Sequence, residues 1–197
     1  MVIWKEEDKA EMDNFNANGH KFTVGSVRPK DQNGDYKIDN EDRVILGSAN
    51  PRWTMGWTNS FSWKGVELSV ELYGRMGYMV STGGEGQYGM YQQREIDYWR
   101  PDNPNSEWQK PVYSTAGGDA YSSLLGYKDA SFIKLRNISL GYNFSHALCK
   151  KIGISNLKVY GQARNLGCLY SSIDFLDLDL GTSNYNRGFT VGLQVGF

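Results

Sequence analysis

The chain has 197 residues and nearly balanced charge: 21 Lys and Arg against 22 Asp and Glu give a net of −1. That balance excludes a strongly basic nucleic-acid binder and an acidic solvating tail. Aromatics at 14% and 23 glycines suit strands and turns better than helices, and no apolar run reaches the ~20 residues of a membrane-crossing helix.

The N-terminal stretch Met1-Val-Ile-Trp-Lys-Glu-Glu-Asp8 is acidic where a secretory signal would be basic and then apolar. It therefore reads either as the start of a cytoplasmic protein or as the start of a piece whose export signal lies upstream. Next, Asp31, Asn33, Asp35, Lys37, Asp39 and Asp42 fall at positions 1, 3, 5, 7, 9 and 12 of a twelve-residue loop. An EF-hand uses this spacing to gather oxygen ligands round one Ca²⁺, with Lys37 offering its backbone carbonyl. Two departures stand out. Tyr36 occupies position 6, where a left-handed backbone costs about 1–2 kcal/mol, and Asp42 replaces the usual bidentate Glu. The competing reading is a solvated acidic turn closing on Asn33-Gly34.

Five stretches then alternate with period two, the mark of a strand with two unlike faces. They are expected at about 53–63, 66–75, 131–144, 156–166 and 187–197. In the first, Trp53, Met55, Trp57 and Phe61 share a face that Asn59 interrupts. Val66, Leu68, Val70 and Leu72 follow, then Ile138, Leu140, Tyr142 and Phe144. Leu157, Val159, Gly161 and Ala163 come next, and Phe189, Val191, Leu193, Val195 and Phe197 end the chain. Such runs exceed the ~5–6 residues of ordinary strands. Ten residues at ~3.4 Å each, tilted near 45°, rise about 24 Å, which matches the ~25 Å apolar band of an outer-membrane barrel. A soluble sandwich also alternates, with shorter strands.

Short and long connections take turns. Lys64-Gly65 is a tight hairpin, and 145–156 is brief, whereas 76–130 and 167–186 are long and polar. That is the habit of periplasmic turns and extracellular loops, and it puts residues 1–52 outside. Gly83-Gly84-Glu85-Gly86 lacks the Lys and Ser/Thr of a phosphate loop. Tyr88, Tyr91, Tyr98, Trp99, Trp108, Tyr113, Tyr121 and Tyr127 crowd the long loop, where they can stack on sugars, pack loop on loop, or meet a protein lid. Glu67, Glu71, Gln162 and Arg164 would line a polar interior.

No nucleophile elbow, HExxH pair or nucleotide-binding glycine motif is present, so no enzyme is expected. Cys149 and Cys168 have no metal-ligand spacing. They would lie at opposite ends of a spanning strand, beyond the ~7 Å Cα limit of a disulfide. A five-stranded open sheet would leave two edges and an apolar face unprotected, so the chain reads as incomplete.

The stretches Val27-Arg-Pro-Lys-Asp-Gln-Asn-Gly-Asp-Tyr-Lys-Ile-Asp-Asn-Glu-Asp-Arg43 and Ile45-Leu-Gly-Ser-Ala-Asn-Pro51 resemble the C-terminal end of a SusC/RagA-type TonB-dependent outer-membrane receptor. So do Tyr98-Trp-Arg-Pro-Asp-Asn-Pro-Asn105, Phe132-Ile-Lys-Leu-Arg-Asn-Ile-Ser-Leu-Gly-Tyr-Asn-Phe144 and Lys151-Ile-Gly-Ile-Ser-Asn-Leu157. The resemblance implies the last five or so strands of a 22-stranded barrel in the Gram-negative outer membrane. It implies glycan or peptide import with a SusD-like lipoprotein, and energy from TonB through an N-terminal part absent here. Thr190, Gly192, Val195 and Phe197 resemble a barrel-assembly signal, read by the assembly machinery. The alternative is a soluble, calcium-stabilised β-sandwich that binds carbohydrate.

Overall fold

The computed structural model describes residues 2–82, 96–111, 119–181 and 186–197. In chain order the elements are β1 (Val2–Ile3), α1 (Lys9–Ala17), β2 (Val27–Arg28), β3 (Trp53–Trp63), β4 (Val66–Met76), β5 (Met79–Ser81) and β6 (Tyr127–Asp129). They continue with β7 (Phe132–Asn143), α2 (His146–Lys151), β8 (Asn156–Ser171) and β9 (Gly188–Gly196). The chain divides into two units, Met1–Gly47 with Val80–Lys128, and Ser48–Met79 with Asp129–Phe197. Gly83-Gly84-Glu85-Gly86, Tyr88, Tyr91 and Tyr113 lie outside the described residues.

The first unit has more regular structure than its spacing suggests. Glu6, Glu7, Asp8 and Glu11 crowd the start of α1, where the helix dipole is positive. Gly19, at φ 96°, turns the chain out of it. Met12 and Phe15, three residues apart on one side of the helix, are buried with Trp4 and Phe22, and Val24, Ile38 and Tyr121 pack against them. The Phe15 ring meets Trp4 edge-on at 5.7 Å and Phe22 at 5.8 Å. Arg28 closes this end: its guanidinium lies 4.8 Å from the Trp4 ring centroid and pairs with Asp8 at 3.0 Å and Glu11 at 2.5 Å.

The second unit is one antiparallel sheet in the order β3-β4-β7-β8-β9. β3 and β4 are joined by the two-residue turn Lys64-Gly65, with φ 47° and 87°. Positive φ at both positions is the hairpin geometry whose twist matches that of the strands. Gly65 is also sterically required: a Cβ there would sit 2.6 Å from the Asn143 carbonyl oxygen. The register sets Phe61 against Leu68 and Leu140, then Val159 against Leu193, so apolar residues fall on one face. Glu67, Ser69 and Glu71 pair with Gly141, Ser139 and Asn137 on the other.

The ladder slips between Glu71 and Leu72, so that Asn137 and Leu135 have β4 partners while Arg136 has none. A second irregularity falls between Leu135 and Asn137 on the β8 side, where Asn165 takes φ 58°. Such bulges re-aim side chains. Here they turn Lys134 and Arg136 to the polar face although their numbers are even and the polar residues further along are odd.

The apolar face is open. Trp53, Met55, Trp57, Phe61 and Trp63 on β3, and Phe189, Val191, Leu193 and Val195 on β9, are all exposed, Val191 by 84%. Each such side chain left in water forgoes roughly 1.5–3 kcal/mol, so this face is built for hydrocarbon rather than solvent. A sandwich would bury these rows beneath a second sheet, and among the described residues no second sheet covers them. β8, at sixteen residues, runs about five residues past its expected end, because the pairing with β7 continues through the bulge to Phe132–Ser171.

Candidate functional site

Two aromatic rows bracket the apolar face. Trp63 and Tyr142 flank Val66 at the hairpin end, and Trp53 lies at the other end of β3, with Tyr170 on β8 one row further in. Ten residues separate Trp63 from Trp53. At ~3.4 Å each and a tilt near 45° they rise about 24 Å, the height of the hydrocarbon band that outer-membrane barrels frame with aromatic girdles.

The opposite face is a network of charges and amides. Lys158 pairs with Glu67, and the Asn143 amide donates to the same carboxylate at 2.7 Å. The Gln162 amide donates to Asn137 at 2.8 Å. Glu67, Glu71, Gln162 and Arg164, the residues expected to line a polar interior, all belong to this face. Tyr73 lies beneath the Arg136 guanidinium at 3.5 Å from its ring centroid, and its hydroxyl accepts from Arg75 Nε at 2.8 Å.

The most buried charges were not foreseen. Lys134 is 1% exposed, and its ammonium donates to both carboxylate oxygens of Asp177, at 2.8 and 2.6 Å. Beside it Arg136 grips Asp179 through two bonds, 2.9 and 2.7 Å long. Asp177 also accepts from the Asn165 amide at 3.3 Å, and its carbonyl oxygen caps Gly181 N–H at 2.7 Å. One sequence signal could have revealed this. Lys134 and Arg136 break the alternation inside a strand, and Asp174, Asp177 and Asp179 wait in the loop that follows.

The residues of the candidate calcium loop come together, but around backbone. Asp31 accepts from Gly34 N–H at 2.6 Å and Tyr36 N–H at 2.9 Å. Asp42 accepts from Gln32 at 2.7 Å and Asp39 at 2.9 Å. Asn33, Asp35 and Asp39 each bond the amide two residues on, the local habit of Asx side chains. The two N–H bonds hold the Asp42 carboxyl below the usual 3.8, that from Gln32 contributing most. Tyr36 takes φ 60°, the left-handed turn that position 6 requires, with its ring edge-on to Phe15 at 5.5 Å. Among the described residues no three acidic, His or Cys side chains converge as metal ligands do.

Several aromatics of the long loop serve packing. Trp99 donates its backbone N–H to Trp108 at 2.8 Å, and its ring covers Gly25, where a Cβ would lie 2.6 Å away. Lys128 Nζ sits 4.6 Å from the Trp108 ring centroid, and Tyr121 packs on Phe22. Tyr98 is bridged to Trp108, and Tyr127 is exposed. Arg100, Asp102 and Asn103 form a turn in which Asn103 N–H donates to Arg100 at 2.8 Å. Cys149 is buried in α2, and Cys168 lies half-buried on β8.

The terminal pattern acquires a steric reason at Gly192. Its register partner Tyr160 lays its ring over it, and a Cβ at 192 would sit 2.4 Å from Tyr160 Cζ. Thr190 lies opposite Gln162 and Val195 opposite Leu157. Phe197 is fully exposed beyond the last pair.

No family model matches the sequence. Two TonB-dependent receptors of Formosa agariphila are similar to it. One is 29% identical over 185 residues, covering 88% of this chain, and the other 25% identical over 189 residues, covering 85%. The chain spans only 18% of the length of either. Among solved structures, the RagAB peptide transporter shares the fold with a TM-score of 0.59 at 24% identity, over 78% of this chain and 18% of that one. Its closed-closed state gives 0.55 over the same share. Together with the two-faced sheet, these likenesses show a chain similar to one stretch of TonB-dependent receptors, with the fold of five antiparallel strands from the wall of a barrel such as that of RagAB.

Proposed function

We propose that this chain serves an outer-membrane transporter of a Gram-negative cell, one that imports polar oligomeric nutrients, glycans or peptides. In this reading the hairpin Lys64-Gly65 and α2 face the periplasm. Residues 1–52 and the long connections face outward, where a SusD-like lipoprotein delivers the substrate. TonB supplies energy through a part of the receptor outside this chain, and Thr190, Gly192, Val195 and Phe197 address the strand to the assembly machinery. The observation that carries the reading is the sheet itself: exposed apolar rows on one face, ion pairs and amides on the other, with a girdle-to-girdle height that suits the bilayer. The description of RagAB as a peptide transporter supports a nutrient substrate.

The test is fractionation of cells that express the whole receptor. It should sediment with outer membranes and migrate faster on gels before heating than after. Recovery of the whole protein in the soluble fraction without detergent would overturn the reading. In the same proposal the 31–42 loop takes up Ca²⁺ once Asp31, Asp35, Asp39 and Asp42 exchange backbone amides for the cation, stiffening an outward loop. The left-handed Tyr36 supports this, since the sharp turn is already made. Calcium titration of the intact receptor should release heat that an Asp31→Ala/Asp35→Ala variant lacks; equal heats would remove the cation.

A further inference from the structure

We propose that Ile173–Gly181 is a strap inside the transport path, held against the inner wall of the barrel by the Lys134–Asp177 and Arg136–Asp179 pairs, where it narrows the conduit. The proposal rests on the reading of the polar face as the lumen.

Four observations carry it. The segment leaves β8 at Ser171 and its acids reach the polar face, at Lys134 and Arg136. It is packed rather than draped, with Ile173 2% exposed, Asp177 0% and Leu178 7%. Its entry is pinned by Ser172 Oγ, which donates to the carbonyls of Asp129 at 2.7 Å and Ser131 at 3.1 Å. Its return is pinned by Asn165, whose amide donates to Asp177 and, at 3.0 Å, to the Asn186 carbonyl.

The electrostatics explain why strand and strap need each other. A buried ammonium without a partner is costly, and so is a buried carboxylate. Lys134 and Asp177 bond to each other while the strap is down. Arg136 adds a forked carboxylate contact, the geometry in which guanidinium is strongest, and Tyr73 supports its other side. The groove of about 780 Å³ beside it sets the amides of Asn137, Gln162, Asn165 and Asn186 among the charged Glu71, Arg75 and Arg164. Amides that both donate and accept suit a neutral polar ligand such as a sugar chain or a peptide backbone.

The experiment uses the whole receptor in intact outer membranes, in a Cys149→Ala/Cys168→Ala background, with heat-modifiable migration as the check on assembly. A reporter thiol is placed by Gln162→Cys, and its labelling is timed with a small methanethiosulfonate and with a bulky polyethylene-glycol maleimide. With the strap latched, the small reagent should react at least about tenfold faster relative to the bulky one than it does in an Asp177→Asn/Asp179→Asn variant. The exchange Arg136→Asp/Asp179→Arg should restore the native ratio, whereas either single change should not. Equal ratios in the native and unlatched receptors, both correctly assembled, would overturn the strap. Failure of all variants and of the parent to reach the outer membrane would instead overturn the barrel reading.

Discussion

A positive charge placed on the apolar face should cost in proportion to its depth in the bilayer. Val70 lies four residues beyond Val66 on β4, between Asn59 and Ile138. At ~3.4 Å per residue and a tilt near 45° it sits about 10 Å above the Trp63 row, close to the middle of the ~25 Å band. Leu68 sits about 5 Å above that row, and residue 63 on it. Arginine on the lipid face costs roughly 2–4 kcal/mol at the midplane and roughly 0–1 near the interfaces. Val70→Arg should therefore destabilise the folded receptor by about 2–4 kcal/mol, Leu68→Arg by less, and Trp63→Arg by about 1 or under. Glu71→Gln, one residue from Val70 but on the lumen face, should fall within about 0.5 kcal/mol of the parent. Denaturant unfolding in lipid vesicles, followed by tryptophan fluorescence and heat-modifiable gel migration, reads all four. A larger loss for Glu71→Gln than for Val70→Arg would reverse the faces. Equal losses for the three arginines would deny that the Trp53-to-Trp63 span crosses hydrocarbon.

Three further perturbations test the other contacts. Gly192→Ala puts a methyl into the Tyr160 ring, an overpacking worth about 1–3 kcal/mol; assembly yield should fall and recover in Gly192→Ala/Tyr160→Ser, and an unimpaired single variant would contradict the ring placement. Lys134→Met leaves Asp177 buried without its cation, a loss of about 3–5 kcal/mol that Lys134→Met/Asp177→Leu should largely recover in the same unfolding assay; equal losses would mean that the pair is not coupled. Asp42 has a folded pKa below the usual 3.8. The support its carboxylate gives the 31–42 loop is therefore complete above that value and lost as pH falls through the depressed one. Protection of the Gln32 amide from exchange, taken relative to its intrinsic rate at each pH, should fall only below pH 3.8, and a fall beginning well above it would show that the bond from Gln32 is not made.

What the sequence made legible follows period two. Where Val66, Leu68 and Val70 alternate with Glu67, Ser69 and Glu71, a single-residue slip would move every charge into lipid, so spacing alone assigns face and register. The lysine and glycine at 64 and 65 mark a turn for an equally local reason. The parts that stayed hidden depend on partners far away in the chain. Lys134 reads as an ordinary interruption of a strand until Asp177, 43 residues on, is seen to reach it. The bulge that aims it is invisible because Leu135, Arg136 and Asn137 contain no glycine or proline to announce it. Likewise Trp4, Phe15 and Phe22 look scattered in the sequence: the turn at Gly19 returns Phe22 to α1, and bonds to Gly25 and Ser26 hold Trp4 beside it.

The exposure pattern of the second unit inverts that of a water-soluble sheet, and the inversion ties its two faces together. In water, tryptophan and leucine go inside and ions stay out. Here Trp53, Trp57, Leu193 and Val191 are outside, while Lys134 and Asp177 are the most deeply buried charges. Lipid tolerates the first arrangement but does not compete for hydrogen bonds on the other side of the wall, so a strand crossing hydrocarbon keeps its polar half satisfied from within the protein. For Lys134, flanked by Ile133 and Leu135, chain returning from a loop takes part in this, and Asp177 and Asp179 are that return. A residue whose neighbours are fixed by lipid on one side thus dictates what must fold onto it from the other.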